Sequence, residues 1–150
     1  DFDETAAALV NNLQTRAAAQ QHLKAGGAVI IFPAGAISLA PNVVGKAIDS
    51  DWKPFAAKLA MTPNTTTVPF FFDGRNSSLY QMARRISVTF GYSLMFREIC
   101  NKIGHPITVH MRQAVHSDQL GALGSRSAVT QRLRDLTYGA GQGAADHRQI

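Results

Sequence analysis

A chain of 150 residues is long enough for one domain with a real core and short for two typical ones. With 45% apolar and 17% charged residues it is no disordered polymer, and no run approaches the ~18 uninterrupted apolar residues of a membrane span. The net charge of +5 favours an anionic partner, while a single cysteine, Cys100, excludes an internal disulfide and a cysteine metal cluster and fits a reducing compartment.

The charge is unevenly placed. Arg75, Arg84, Arg85, Arg97, Lys102 and Arg112 face Glu98 alone, whereas the rest of the chain balances. A local excess of this kind suits a phosphate group, an anionic lipid surface or nucleic acid, although a basic face can also be merely solvated.

The start, Asp1-Phe2-Asp3-Glu4, is acidic and does not read as a signal peptide. Residues 5–24 then read as an amphipathic helix through Leu9, Val10, Leu13, Ala17 and Leu23, closed by Gly26-Gly27. Ala28 to Phe32 is a short continuous apolar run, the pattern of a strand buried on both faces, and Pro33 stops it. Residues 39–50 have no period and read as a loop. Trp52, Phe55, Ala56, Leu59 and Ala60 give helical spacing, with Ser50 or Asp51 as the cap.

Pro63-Asn64 is a turn. Thr65 to Phe72, rich in β-branched and aromatic residues, reads as a second strand that Pro69 places near an edge or a bulge. Ser77 can cap a helix carrying Leu79, Met82, Ala83 and Ile86 on one face. A further helix covers Leu94 to Lys102 and closes at Gly104, and Ile107 to Met111 is a third strand. The last helix, 125–137, points Val129, Leu133 and Leu136 inward and Arg126, Arg132 and Arg134 outward. Residues 1–138 thus read as one domain, followed by a Gly/Ala-rich flexible tail over 139–150. The expected fold is α/β, with helices packed on a largely parallel sheet. Three strands are few against the usual five or six, so the domain is expected to be incomplete.

Two segments stand at strand ends, where open α/β sheets bind ligands. In Phe32-Pro33-Ala34-Gly35-Ala36-Ile37-Ser38, the proline and glycine permit an open loop whose backbone can approach a phosphate, and Ser38 adds a hydroxyl. In Val68 to Ser77, an Asp73-Gly74 turn leads to Arg75 and Asn76 ahead of a helix start, a plausible anion clamp. By local composition alone both favour the plainer reading, a turn and a helix cap. The five histidines offer no catalytic pair. His22, His105 and His110 have no carboxylate four residues on, His147 lies in the tail, and His116 has Asp118 too near to share a helix face. There is no serine nucleophile elbow, no metal-ligand spacing and no phosphate-binding loop.

The same two segments resemble the glycerolipid and lysophospholipid acyltransferase superfamily, in particular its bacterial hemolysin-like branch. Phe32 to Ser38 resembles that family's third block, Val68-Pro69 its fourth, and Phe72 to Ser77 the extension typical of the branch. Trp52 to Leu59 and Arg97 to Gly104 continue the likeness, in the right order, over most of residues 5–137. The resemblance implies a peripheral enzyme of phospholipid biosynthesis on the cytoplasmic side of the membrane. It would move a fatty acyl group from acyl-ACP or acyl-CoA, a co-substrate rather than a cofactor, to a hydroxyl of a lysophospholipid-like acceptor.

In that family a His-x-x-x-x-Asp pair supplies the general base and its orienting carboxylate. No such pair exists in these residues, so the chain resembles the portion downstream of it and carries no catalytic residue. The resemblance places the acceptor and its phosphate at Phe32, Pro33, Gly35, Ser38, Pro69, Arg75 and Asn76, and no metal. Ala34 and Ala36 stand where relatives usually carry one glutamate. The implied partners are the acyl thioester, the lysolipid-like acceptor and an anionic membrane surface, and not nucleic acid, because Phe70, Phe71 and Phe72 read as strand core rather than stacking platforms. The alternative is a non-catalytic lipid- or phosphate-binding module of the same fold.

Overall fold

The computed structural model describes the backbone of residues 6–42 and 45–139, with side chains from Leu13 onward within those ranges. In chain order the elements are α1 (Ala6–Lys24), α2 (Phe55–Ala60), β1 (Thr66–Thr67), β2 (Phe70–Asp73), α3 (Ser78–Ile86), α4 (Val88–Ser93), α5 (Met95–Cys100), β3 (Thr108–Met111), β4 (Val115–His116), α6 (Ser117–Gly121) and α7 (Arg126–Tyr138). The tail expected from Gly139 lies, apart from that glycine, outside the described residues, as do the acidic start and the side chains of Leu9 and Val10.

The chain divides into two compact units. One takes residues up to Pro33, Trp52–Pro69 and the chain from Arg112 onward; the other takes Ala34–Asp51 and Phe70–Met111.

In the first unit α1 ends as its glycines direct. Gly26 takes φ +84°, and the Gly27 N–H returns to the His22 carbonyl at 2.9 Å. The stripe expected to face inward is open at Leu13 and Ala17, and only Leu23 is half-buried. Arg16 stacks its guanidinium 5.3 Å from the Phe55 ring centre. Neither Ser50 nor Asp51 caps α2, which follows Pro54 instead, whose φ of −61° is already helical. Ala57 and Ala60 of α2 pack with Leu120 of α6 and with Val129 and Leu133 of α7, and Trp52, Met61 and Val115 close the margin. Leu136, expected inward, is half-buried, and Thr137 takes the buried position by returning its hydroxyl to the Leu133 carbonyl at 2.8 Å.

The second unit holds β2, β3 and the three short helices α3 to α5. Its buried residues are small or polar: Ala34, Ala40, Tyr80, Gln81, Ala83, Gly91 and Glu98. Ser77 caps α3 by accepting from the Tyr80 N–H, as its sequence position implies. Gly91 lets α4 approach α3 closely, since a Cβ there would lie 3.2 Å from the Arg84 Cα.

The sheets correct the expected fold class. The chain is mixed helix and strand, but both strand pairs among the described residues are antiparallel, β1 with β4 and β2 with β3. Alternation of helices and strands pointed to parallel crossovers, yet β2 meets the returning β3 head to tail, with Phe70 opposite Met111 and Asp73 opposite Thr108. Pro69 splits the expected second strand in two, because it has no N–H for a ladder and takes part only through its carbonyl, which accepts from Arg112 at 2.9 Å. Ala28 to Phe32, expected as a buried strand, is irregular and open, with Ile30 88% and Phe32 75% exposed. A continuous apolar run becomes a central strand only when neighbours pair with both its edges, and no described segment does so.

Candidate functional site

The first segment turns where its glycine allows. Gly35 adopts φ +63° in open surroundings, with nothing within 4 Å of where a Cβ would stand. The chain then reverses through an isolated bridge between Leu39 and Ile48, hydrogen-bonded at 3.1 and 2.9 Å. That reversal brings Asp49 beside Ser38, whose hydroxyl donates to the Asp49 carboxylate. A serine so engaged keeps its acceptor lone pairs, but it stands next to a negative charge that disfavours an anion there.

α3 gathers both segments within the second unit. The Ala40 N–H donates to the Gln81 side-chain oxygen at 3.0 Å, and Arg85 donates to the Ala40 carbonyl at 2.8 Å and to that of Pro41. The second segment leads into the N-terminus of the same helix through Arg75, Asn76 and the Ser77 cap.

That N-terminus already holds an anion, the protein's own. Glu98 is 3% exposed, and its carboxylate accepts from the Ser77 N–H at 2.7 Å and the Ser77 hydroxyl at 2.5 Å. Helix-start amides and dipole, which would otherwise favour a bound phosphate, are partly answered from within. Lys102 reaches the loop and donates from Nζ to the Arg75 main-chain carbonyl at 3.0 Å, which brings one ammonium group to this loop; Arg75 itself is half-buried and Lys102 exposed. Nothing in the sequence marks Gln81 or Asp49 as site residues, whereas Lys102 belongs both to the basic cluster from Arg75 to Arg112 and to the Arg97 to Gly104 segment.

The seven residues expected to hold the acceptor fall into two groups. Gly35, Ser38, Arg75 and Asn76 belong to the second unit, and Phe32, Pro33 and Pro69 to the first. The Pro33 carbonyl accepts from the Lys53 N–H at 2.9 Å, and Pro69 is buried.

Tyr80 is wholly buried on α3, and its hydroxyl has no hydrogen bond of good geometry. Burial pushes its pKa up from 10.0, and the nearby Arg84 cation only partly opposes the rise. Arg84 itself lies 5.3 Å from the Tyr92 ring centre.

His116 and Asp118 are closer than helical spacing allows, with Nδ1 and Oδ2 3.2 Å apart. The spacing rule does not apply, because His116 is not inside the helix. It is the N-cap of α6 in extended backbone, and it shares a reciprocal capping box with Gln119. The Asp118 side chain is 87% exposed, so the pair is a local cap at the surface and not an oriented buried base.

Among the described residues no three of histidine, cysteine, aspartate and glutamate come together as a metal site, and no helix is long and apolar enough to cross a membrane. Comparison with family models, with curated proteins and with solved structures finds no match to this chain.

Proposed function

We propose that the chain is the acceptor-binding portion of an acyltransferase that moves a fatty acyl group from acyl-ACP or acyl-CoA to a hydroxyl of a lysophospholipid-like acceptor at the cytoplasmic face of a membrane. The reading rests on the ordered likeness of its segments to the lysophospholipid acyltransferases. The observation that carries it is the corner where Lys102 meets the carbonyl of Arg75. The Lys102 ammonium on the loop that also carries Arg75 would suit the phosphomonoester of a lysophosphatidate, with the forked guanidinium of Arg75 as a second donor from the same loop. Gly35, on a loop tied to the same helix through Gln81 and Arg85, supplies open backbone in the same unit, while Ser38 on that loop is engaged by Asp49.

The general base is not encoded in these 150 residues, since no His-x-x-x-x-Asp occurs in them. They are therefore expected to bind acceptor without turning over an acyl thioester. Calorimetry with a short-chain lysophosphatidate below its micelle concentration checks the first part. Binding that weakens at least ~tenfold in Arg75→Ala or Lys102→Ala is expected, and no binding, or binding indifferent to both, overturns the reading. Thioester turnover by the 150-residue chain would show that its base is inside it after all.

A second reading is a non-catalytic lipid- or phosphate-binding module of the same fold. It is favoured by Ala34 and Ala36, which leave out the carboxylate that the acyltransferases it resembles usually carry at one or the other position.

A further inference from the structure

We infer that α5 and the turn continuing it form a face that rests on an anionic lipid surface, through Phe96, Ile99 and Ile103 with Arg97 and Lys102 beside them. The proposal deepens the acyltransferase reading, on which the lipid nature of the occupant rests.

α5 is built inside out. Its one buried residue is the acid Glu98, held by Ser77. Phe96, Ile99 and Ile103 are 81%, 54% and 72% exposed. Phe96 and Ile99, three apart on α5, share one side of the helix, Ile103 is exposed in the turn that continues it, and Glu98 is buried. The same spacing recurs on α3, where Leu79, Met82 and Ile86 are exposed while Tyr80 and Gln81 are buried. One solvated isoleucine needs no explanation, but two helices presenting their apolar stripes outward define an interaction surface.

Charge selects the occupant. Residues 74–107 carry five arginine and lysine side chains and one acid, and that acid is turned inward. Arg97 on α5 and Lys102 in the turn that continues it are both exposed beside these apolar residues. A second copy docked through this face would set like charges against each other around a shared centre. Nucleic acid would answer the cations and leave an aliphatic stripe in water. An anionic bilayer satisfies both demands at once, with the stripe at the acyl boundary and the cations among the headgroups.

The test is sedimentation of the 150-residue chain with vesicles of phosphatidylcholine alone or with one part in three phosphatidylglycerol, at low and at moderate salt. Wild type should pellet with the phosphatidylglycerol vesicles and less so as salt rises. Phe96→Ser with Ile103→Ser should weaken pelleting at least ~tenfold, and Arg97→Glu at least ~fivefold. Ile30→Ser, at a side chain 88% exposed in the other unit, should pellet like wild type. Circular dichroism checks that each variant is folded. The proposal is overturned if wild type ignores phosphatidylglycerol, if the double variant pellets as well as wild type, or if sedimentation without vesicles shows a dimer that the double variant dissolves. Its failure is separable from that of the acceptor reading: lysophosphatidate binding follows Arg75 and Lys102, whereas vesicle binding is read from Phe96, Ile103 and Arg97.

Discussion

The Glu98 carboxylate holds Ser77 twice, by its N–H at 2.7 Å and by its hydroxyl at 2.5 Å, while the same hydroxyl oxygen accepts from the Tyr80 N–H at 3.2 Å. α5 is thus fastened to the first turn of α3 by a charged side chain rather than by apolar contact. Removing the carboxylate leaves a main-chain donor without its partner and loosens the cap. Glu98→Ala is expected to cost about 3 kcal/mol, and Glu98→Gln less than half of that, because its amide oxygen can still accept. Urea unfolding followed by circular dichroism measures both, and equal costs would refute the role of the retained acceptor.

Tyr80 places a hydroxyl where no hydrogen bond of good geometry satisfies it, with the Arg84 guanidinium nearby. Tyr80→Phe should therefore be neutral or stabilising at pH 7, by up to about 1 kcal/mol. The pH dependence has a definite sign. The unfolded side chain ionises near 10.0 and the folded one later, so the unfolded chain loses its proton first. The contribution of Tyr80 is fully present below pH 10 and is lost as pH rises from there through the folded value. Stability of the phenylalanine variant should consequently fall less steeply than that of wild type above pH 10, as chemical unfolding at stepped pH will show.

Gly91 allows the closest approach of α4 to α3. A methyl group there would meet Arg84 at 2.5 Å from its Cδ and 3.2 Å from its Cα. The side chain can swing aside, but the main chain cannot. Gly91→Ala should cost about 1–3 kcal/mol despite the better helix propensity of alanine, and a stabilising result in thermal melts would disprove the close approach.

At Gly35 the space is open and only the backbone objects. Gly35→Ala should cost about 1 kcal/mol and weaken lysophosphatidate binding. Gly121→Ala, in equally open space at the end of α6 and without the positive φ, should not destabilise the fold, with a gain of up to about 1 kcal/mol from helix propensity, and should leave binding unchanged.

Much of the helical outline was legible in the residues themselves. Ser77 announces the start of α3, Gly26-Gly27 the end of α1, and the Val129 to Leu133 spacing the buried side of α7. What the residues did not disclose is which side of a helix faces in. Periodicity marks an apolar stripe on α3 and α5, and the ordinary inference turns it inward. Here Gln81 and Glu98 have specific partners that let them be buried, so the stripe is left outside. Strand direction was hidden for a related reason. It depends on which distant segment supplies the ladder, and the fate of Ala28 to Phe32 shows that an apolar run without paired neighbours forms no strand. In the site, the Gly35 turn was legible locally. Ser38 with Asp49, and Arg75 with Lys102, are joined across intervals that no spacing rule spans.

Trp52, the single tryptophan, packs at the margin of the α2–α7 cluster and so belongs wholly to the first unit. Its fluorescence will report the melting of that unit. Tyr80 and Tyr92 lie in the second unit and Tyr138 in the first, so the tyrosine part of the near-ultraviolet signal is weighted toward the second unit. Two optical signals thus weight the two halves differently, and their coincidence or separation on heating will say whether the halves unfold as one cooperative body.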